Sequence, residues 1–315
     1  MTQPTMNDVQ VMMTYAQSCV EIYRDWQTMG AAERRSQIQN SIRRVTASVT
    51  VPEFAFFFKA MSWERGGELN AQNWRLDINT AVSDSHNVTV ADFIWFCSNL
   101  YHEARHGEQW YRCAQGVLAG DFRNDYLDGT NVDPVHVSRQ MYIPLNVIQH
   151  AEARGKQTWR QYKEQLPVRR WFFSVWGNGR VYRAQILANP HVLTPGNAWN
   201  DSYLALPEEV DAYATQHAVE ALLAPMLTTV VQKEVAAAST ISTLRRNFEA
   251  ATPTPLPAAI GVIPVPGRGR VAEIQAQLQR APQQTTSSVV VTGAQRRVKE
   301  LVAAHAALIQ QQGHS

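Results

Sequence analysis

Residues 89–118 read TVADFIWFCSNLYHEARHGEQWYRCAQGVL, and the fold is read outward from this stretch. Thr89 and Asp92 form a helix start, a hydroxyl at the cap and a carboxylate three residues later. Apolar residues then recur at helical spacing, which predicts one long helix running to Leu118 and stopped by Gly120. At about 100° per residue, Phe93, Phe96, Leu100, Ala104, Gly107, Tyr111, Ala114 and Leu118 fall on one face. His102 and His106 fall nearly opposite, with Trp95 and Cys113. The expectation is a helix packed along one stripe, with its other side on a covered cleft.

His102-Glu103-Ala104-Arg105-His106 is an HExxH sequence. Residues four apart share a helix face, so both imidazoles can bind one cation. Glu103 then stands beside them, placed to take a proton from a water that the cation acidifies. A catalytic zinc site takes three protein donors, so a third ligand must come from elsewhere.

The best source is Leu206-Pro207-Glu208-Glu209-Val210-Asp211-Ala212-Tyr213, which sets carboxylates in the first turn of a helix, where the dipole favours them. Glu209 is preferred over Glu208 as the ligand, because Asp211 two residues on can orient a ligand histidine from behind. Glu208 is the alternative ligand. His150, His191 and His217 are weaker candidates, and Cys113 reads as a packing residue. Tyr213 is the oxyanion-stabilising candidate, with Tyr203, Tyr182 and Arg183 unranked beside it.

The rest of the chain frames this helix. Val11, Met12, Tyr15, Cys19, Ile22, Tyr23 and Trp26 recur at helical spacing within residues 7–28, and a second helix is expected over 31–47. After the Gly66-Gly67 turn, Trp74, Leu76 and Ile78 alternate with Arg75, Asp77 and Asn79 as in a half-buried strand. Residues 134–166 read as mainly helical, and the aromatic run Trp171–Trp176 fits either a strand or a helix. A helix from Pro207 should run towards Leu223, with Pro225 bending or ending it. Residues 1–250 then form the body, 251–270 a Pro-rich linker, and 271–315 an Ala/Gln-rich basic helical tail. The fold class is α+β, mainly helical with a small sheet.

Composition narrows the function. Lys plus Arg number 29 against 27 Asp plus Glu, a net charge of +2, which disfavours non-specific nucleic-acid binding. The longest apolar stretch, residues 218–231, is too short for a membrane span and is broken by Glu220 and Pro225. Three cysteines make no disulfide framework, which favours folding in a reducing compartment. Residues 1–5 show no basic start followed by an apolar run, so synthesis in the cytoplasm is expected, with any export using a route without a cleaved signal.

Residues 100–110, LYHEARHGEQW, taken with 203–213, YLALPEEVDAY, resemble the HExxH metallopeptidase-like domains of bacterial polymorphic toxins, some of them cargo of contractile injection systems. The likeness covers about residues 85–225. It implies a zincin-like core with a central HExxH helix, a strand lining the cleft, and a glutamate ligand on a downstream helix. It also implies a gluzincin-type zinc peptidase acting on a peptide or protein, with His102, His106 and Glu209 on Zn2+ and Glu103 as base. No Gly-x-x-His follows His106, so a metzincin site is not expected. The 74–78 strand would serve as the edge to which a peptide adds by backbone pairing. The competing expectation is a non-enzymatic structural or docking component of a bacterial particle on the same scaffold. In either case the tail is the arm that attaches to a secretion or injection apparatus.

Overall fold

The structure, a computed structural model, describes residues 3–63, 65–122, 133–192 and 194–251. The chain divides into two units, residues 1–233 and 234–315. The Pro-rich linker and the Ala/Gln-rich tail lie outside the described residues.

The first unit opens with helices α1 (Val9–Asp25) and α2 (Ala31–Ser48). Strands β1 (Ala55–Lys59), β2 (Gly67–Asn70) and β3 (Arg75–Asn79) follow, then the short α3 (Thr80–Ser83) and the long α4 (Val90–Leu118). Next come α5 (Pro134–Met141), α6 (Leu145–Gln161), α7 (Gln165–Val175), α8 (Arg180–Leu187), α9 (Ala198–Leu204) and α10 (Pro207–Ala251). The described chain is thus mostly helical with one three-stranded sheet.

Thr89 caps α4 as expected, its hydroxyl oxygen accepting from the Asp92 amide at 3.1 Å. The Thr89 hydroxyl in turn donates to the Asp92 carboxylate at 2.6 Å. The one-stripe expectation for this helix is corrected, because α4 is buried on nearly all sides, packed among α2, α5, α6, α7, β2 and β3. Its polar flank, Arg105, Glu108, Gln109, Arg112 and Gln115, is buried with the apolar stripe. The helical wheel missed this because those side chains bond one another and their neighbours, which offsets much of the usual cost of burying them, although Arg112 Nε and Gln115 Nε2 stay unpartnered. Gly107 is required here: a Cβ would come within 2.2 Å of the Phe54 ring.

The sheet runs in the order β1-β3-β2, with β1 parallel and β2 antiparallel to β3. This corrects the expectation that residues 74–78 form the edge strand. β3 is central, with Leu76, Asp77, Ile78 and Asn79 all buried. The alternating pattern misled because Asp77 is a buried polar residue, held by Lys59 at 2.5 Å and Arg75 at 2.6 Å. The edge strand beside α4 is β2. Its Gly67 and Leu69 amides point at that helix, donating to Asn99 (2.8 Å) and Glu103 (2.9 Å).

The aromatic run resolves as helix, with Trp171 and Phe172 buried on α7. Pro225, expected to bend or end the helix, does not end it, since α10 continues through it to Ala251. Val219, Leu223, Leu227 and Val230 are all buried on one face across the proline. Packing of that face outweighs the lost hydrogen bond. All three cysteines are buried free thiols. No helix among the described residues is long and apolar enough to cross a membrane.

Candidate metal centre

His102 and His106 stand one turn apart on α4, and Glu209 joins them from the first turn of α10, which Pro207 opens. The two Nε2 atoms are 3.1 Å apart. Glu209 places Oε2 at 3.6 Å from His102 Nε2 and Oε1 at 3.5 Å from His106 Nε2. All three side chains are buried, at 3%, 8% and 4% exposure. They form a donor set able to hold a metal ion.

The electrostatics fit a cation. Burial alone would push the His106 imidazole down, yet the Glu209 carboxylate outweighs it and raises the ring to about 9. Burial would push the Glu209 carboxyl up, but the His106 charge, with the second imidazole close by, holds it far below the usual carboxylate range. The set therefore calls for a positive charge, which a proton on His106 or a bound ion supplies. His102 Nδ1 and Glu209 Oε2 are buried without a hydrogen-bond partner.

Glu103 lies beside the set, its Oε2 held by the Leu69 amide of β2. The Tyr213 ring meets His102 edge-on, 4.5 Å between centroids. Burial, with the charges of Glu209 and Glu103, pushes the Tyr213 hydroxyl up to about 12. Burial, followed by the charge of the nearby Glu209 carboxylate, drives the Tyr203 hydroxyl far above its usual value.

Behind His106 lies a buried polar network. Gln109 Oε1 sits 2.7 Å from His106 Nδ1, while Gln109 Nε2 donates to the Glu208 carbonyl (2.9 Å) and to Asp211 Oδ2 (2.8 Å). Asp211 thus backs a histidine as expected, through Gln109 rather than directly. Arg105 donates to Asp211, Glu108 and Glu164, and its guanidinium lies over Trp171. Burial disfavours its charge, but Asp211 and Glu108 outweigh that and raise its pKa well above the usual value. The segment before α1 is stitched into the same network: Asn7 donates to Asp211 (3.0 Å) and the Met6 amide to Glu108 (2.8 Å).

The alternatives fall elsewhere. Glu208 is fully buried and receives Arg183 at 2.7 Å, so it is an ion-pair partner outside the donor set. His150 bonds the Tyr111 hydroxyl, and His217 pairs with Glu220. His191 and Tyr182 are exposed. The Cys113 thiol packs against the Val168 carbonyl. Arg183, engaged by Glu208, and exposed Tyr182 are thereby separated from Tyr203 and Tyr213, which border the donor set.

Sequence reasoning passed over Gln109, Arg105 and the Leu69 amide. Gln109 carried a usable signal, since it lies three residues after His106 and so on its side of the helix. The Leu69 amide carried none, because which strand meets α4 is a long-range fact. No protein-family model, curated protein or solved structure matches this chain. The chemistry therefore rests on the site itself.

Proposed function

We propose that the chain is a zinc-dependent peptidase of zincin-like, gluzincin-type architecture, with His102, His106 and Glu209 as ligands and Glu103 as general base. The spacing of the three donors carries this reading. Tetrahedral zinc with bonds of about 2.0–2.1 Å separates its ligand atoms by roughly 3.3–3.4 Å. Here the two Nε2 atoms are 3.1 Å apart, and each faces its own oxygen of Glu209, His106 at 3.5 Å from Oε1 and His102 at 3.6 Å from Oε2, so the three groups converge at the spacing of ligands around one ion. Two imidazoles and a carboxylate, three donors rather than four, are the make-up of a catalytic zinc site.

Bound zinc polarises a peptide carbonyl and acidifies water. The chain's own groups do the rest. With Oε2 pinned by the Leu69 amide, Glu103 takes the proton of the attacking water on Oε1 and delivers it to the leaving amine nitrogen. The Tyr213 hydroxyl keeps its proton at neutral pH and donates to the developing oxyanion. Tyr203 stands near the Glu209 carboxylate. The likeness of residues 100–110 and 203–213 to polymorphic-toxin domains extends the proposal to an exported bacterial effector acting on a peptide or protein.

Metal analysis of the purified chain tests it. Wild type from zinc-replete medium should carry about one zinc per chain, and His106→Ala none. Glu103→Gln should keep the metal and lose hydrolysis of an unfolded polypeptide. Wild type without stoichiometric metal overturns the proposal.

A further inference from the structure

We propose that Gln109 is a positioning residue that decides which nitrogen His106 presents to the metal, and that Arg105 and Asp211 hold Gln109 the right way round. The inference rests on the metal reading above and adds residues outside the donor set.

An amide side chain can in principle be turned either way, and its neighbours decide. The two groups facing Gln109 Nε2 are the Glu208 carbonyl and Asp211 Oδ2, at 2.9 and 2.8 Å. A carbonyl only accepts. Asp211 is kept an acceptor by donors around it: Arg105 Nε on Oδ2 (2.7 Å), Arg105 Nη2 on Oδ1 (3.2 Å) and Asn7 Nδ2 on Oδ1 (3.0 Å). Turning the amide over would set its oxygen against two acceptors, so the nitrogen stays with them and the oxygen faces His106.

Gln109 Oε1 lies 2.7 Å from His106 Nδ1 and must accept from it. Nδ1 therefore keeps its proton, and Nε2, which faces His102 and Glu209, is the nitrogen left to give its lone pair to a bound metal. His102 has no such device, since its Nδ1 is buried without a partner. The tautomer of one ligand is thus set by a chain, Arg105 to Asp211 to Gln109 to His106, that starts inside the HExxH sequence itself. Glu108 and Glu164 hold the far end, accepting from Arg105 Nη1 at 2.5 Å and from Nη2, shared with Asp211, at 2.7 Å.

Zinc titration of the full, metal-free chain against a competing chelator tests this. Removing a partner behind a ligand histidine weakens metal binding by about 10–100-fold. Gln109→Leu should show that loss. Gln109→Glu still accepts from Nδ1 but sets a carboxylate against Asp211, so it should bind zinc at least as tightly as wild type while melting at lower temperature. A purely structural role would move affinity and melting temperature together in both variants. Gln109→Leu binding zinc as wild type does would overturn the inference and leave the metal site standing. Wild type that takes up no zinc would overturn both. Should Gln109→Leu fail to fold, long-range nitrogen–proton NMR of zinc-loaded wild type decides. A proton on Nδ1 and metal on Nε2 of His106 support the inference, and the reverse overturns it.

Discussion

Replacing Arg105 with Met removes a guanidinium that has no exposed surface and four close contacts to three carboxylates. Breaking a buried ion pair costs about 3–5 kcal/mol, because the partner charge stays buried without compensation. Three partners do not triple this figure. Glu164 and Asp211 keep 14% and 18% of their side chains exposed, so water takes up part of their charge, and Glu108 retains Arg112 at 3.4 Å. The body of 233 residues should lose about 2–4 °C of melting temperature per kcal/mol, giving a fall of roughly 6–20 °C. Circular dichroism melts of the metal-free protein, with chelator present, remove the contribution of bound ligand. Arg105→Lys should fall between wild type and the Met variant, since an ammonium supplies the charge but not the planar fork that reaches three acceptors. A drop below about 3 °C for Arg105→Met would refute the argument that this buried network holds the helix behind His106.

Two further outcomes follow from the geometry. Glu209→Gln should sharply weaken metal uptake, whereas Glu208→Gln should leave it intact and lower the melting temperature, because Glu208 serves Arg183 and lies outside the donor set; equal loss of metal in both would reverse the ligand assignment. For Asp77, burial raises the carboxyl but hydrogen bonds from Arg75 and Lys59 prevail, leaving it below its usual 3.8. A carboxyl depressed in the folded state stabilises fully above that usual value and loses its contribution as pH falls through the lower folded one. Melting temperatures of wild type and Asp77→Asn should therefore differ at pH 7 and converge in acid below about pH 4; a gap unchanged down to pH 2 would show that the ion pairs do not stabilise β3.

Much of this architecture was legible in order along the chain. The cap at Thr89, the 29-residue helix, the shared face of His102 and His106, and the carboxylates opening α10 all follow from spacing within a turn or two. Glu209 was readable as a donor because a helix start favours acids there. The misreadings share a cause. Asp77 looked like a solvent-facing residue because sequence does not show Lys59 and Arg75 arriving beside it. Pro225 read as a bend or an end because the buried face that carries α10 past it is supplied by distant packing. The polar flank of α4 could not be placed from spacing, because Arg105 meets Glu164 and Asp211 only after 59 and 106 residues of chain have folded back.

The amino-acid sequence by itself determined the chemistry on offer: a helix bearing two imidazoles and a carboxylate, and a second helix bearing the acids that could complete a donor set. Those are local properties, set by backbone periodicity and capping. Long-range packing alone brings Glu209 rather than Glu208 onto the histidines, sets the Leu69 amide of β2 against Glu103, and places Gln109 beside His106 Nδ1. Each of those choices depends on which group arrives within about 3 Å of another across a long loop, and hydrogen bonds and ion pairs weaken steeply beyond that distance.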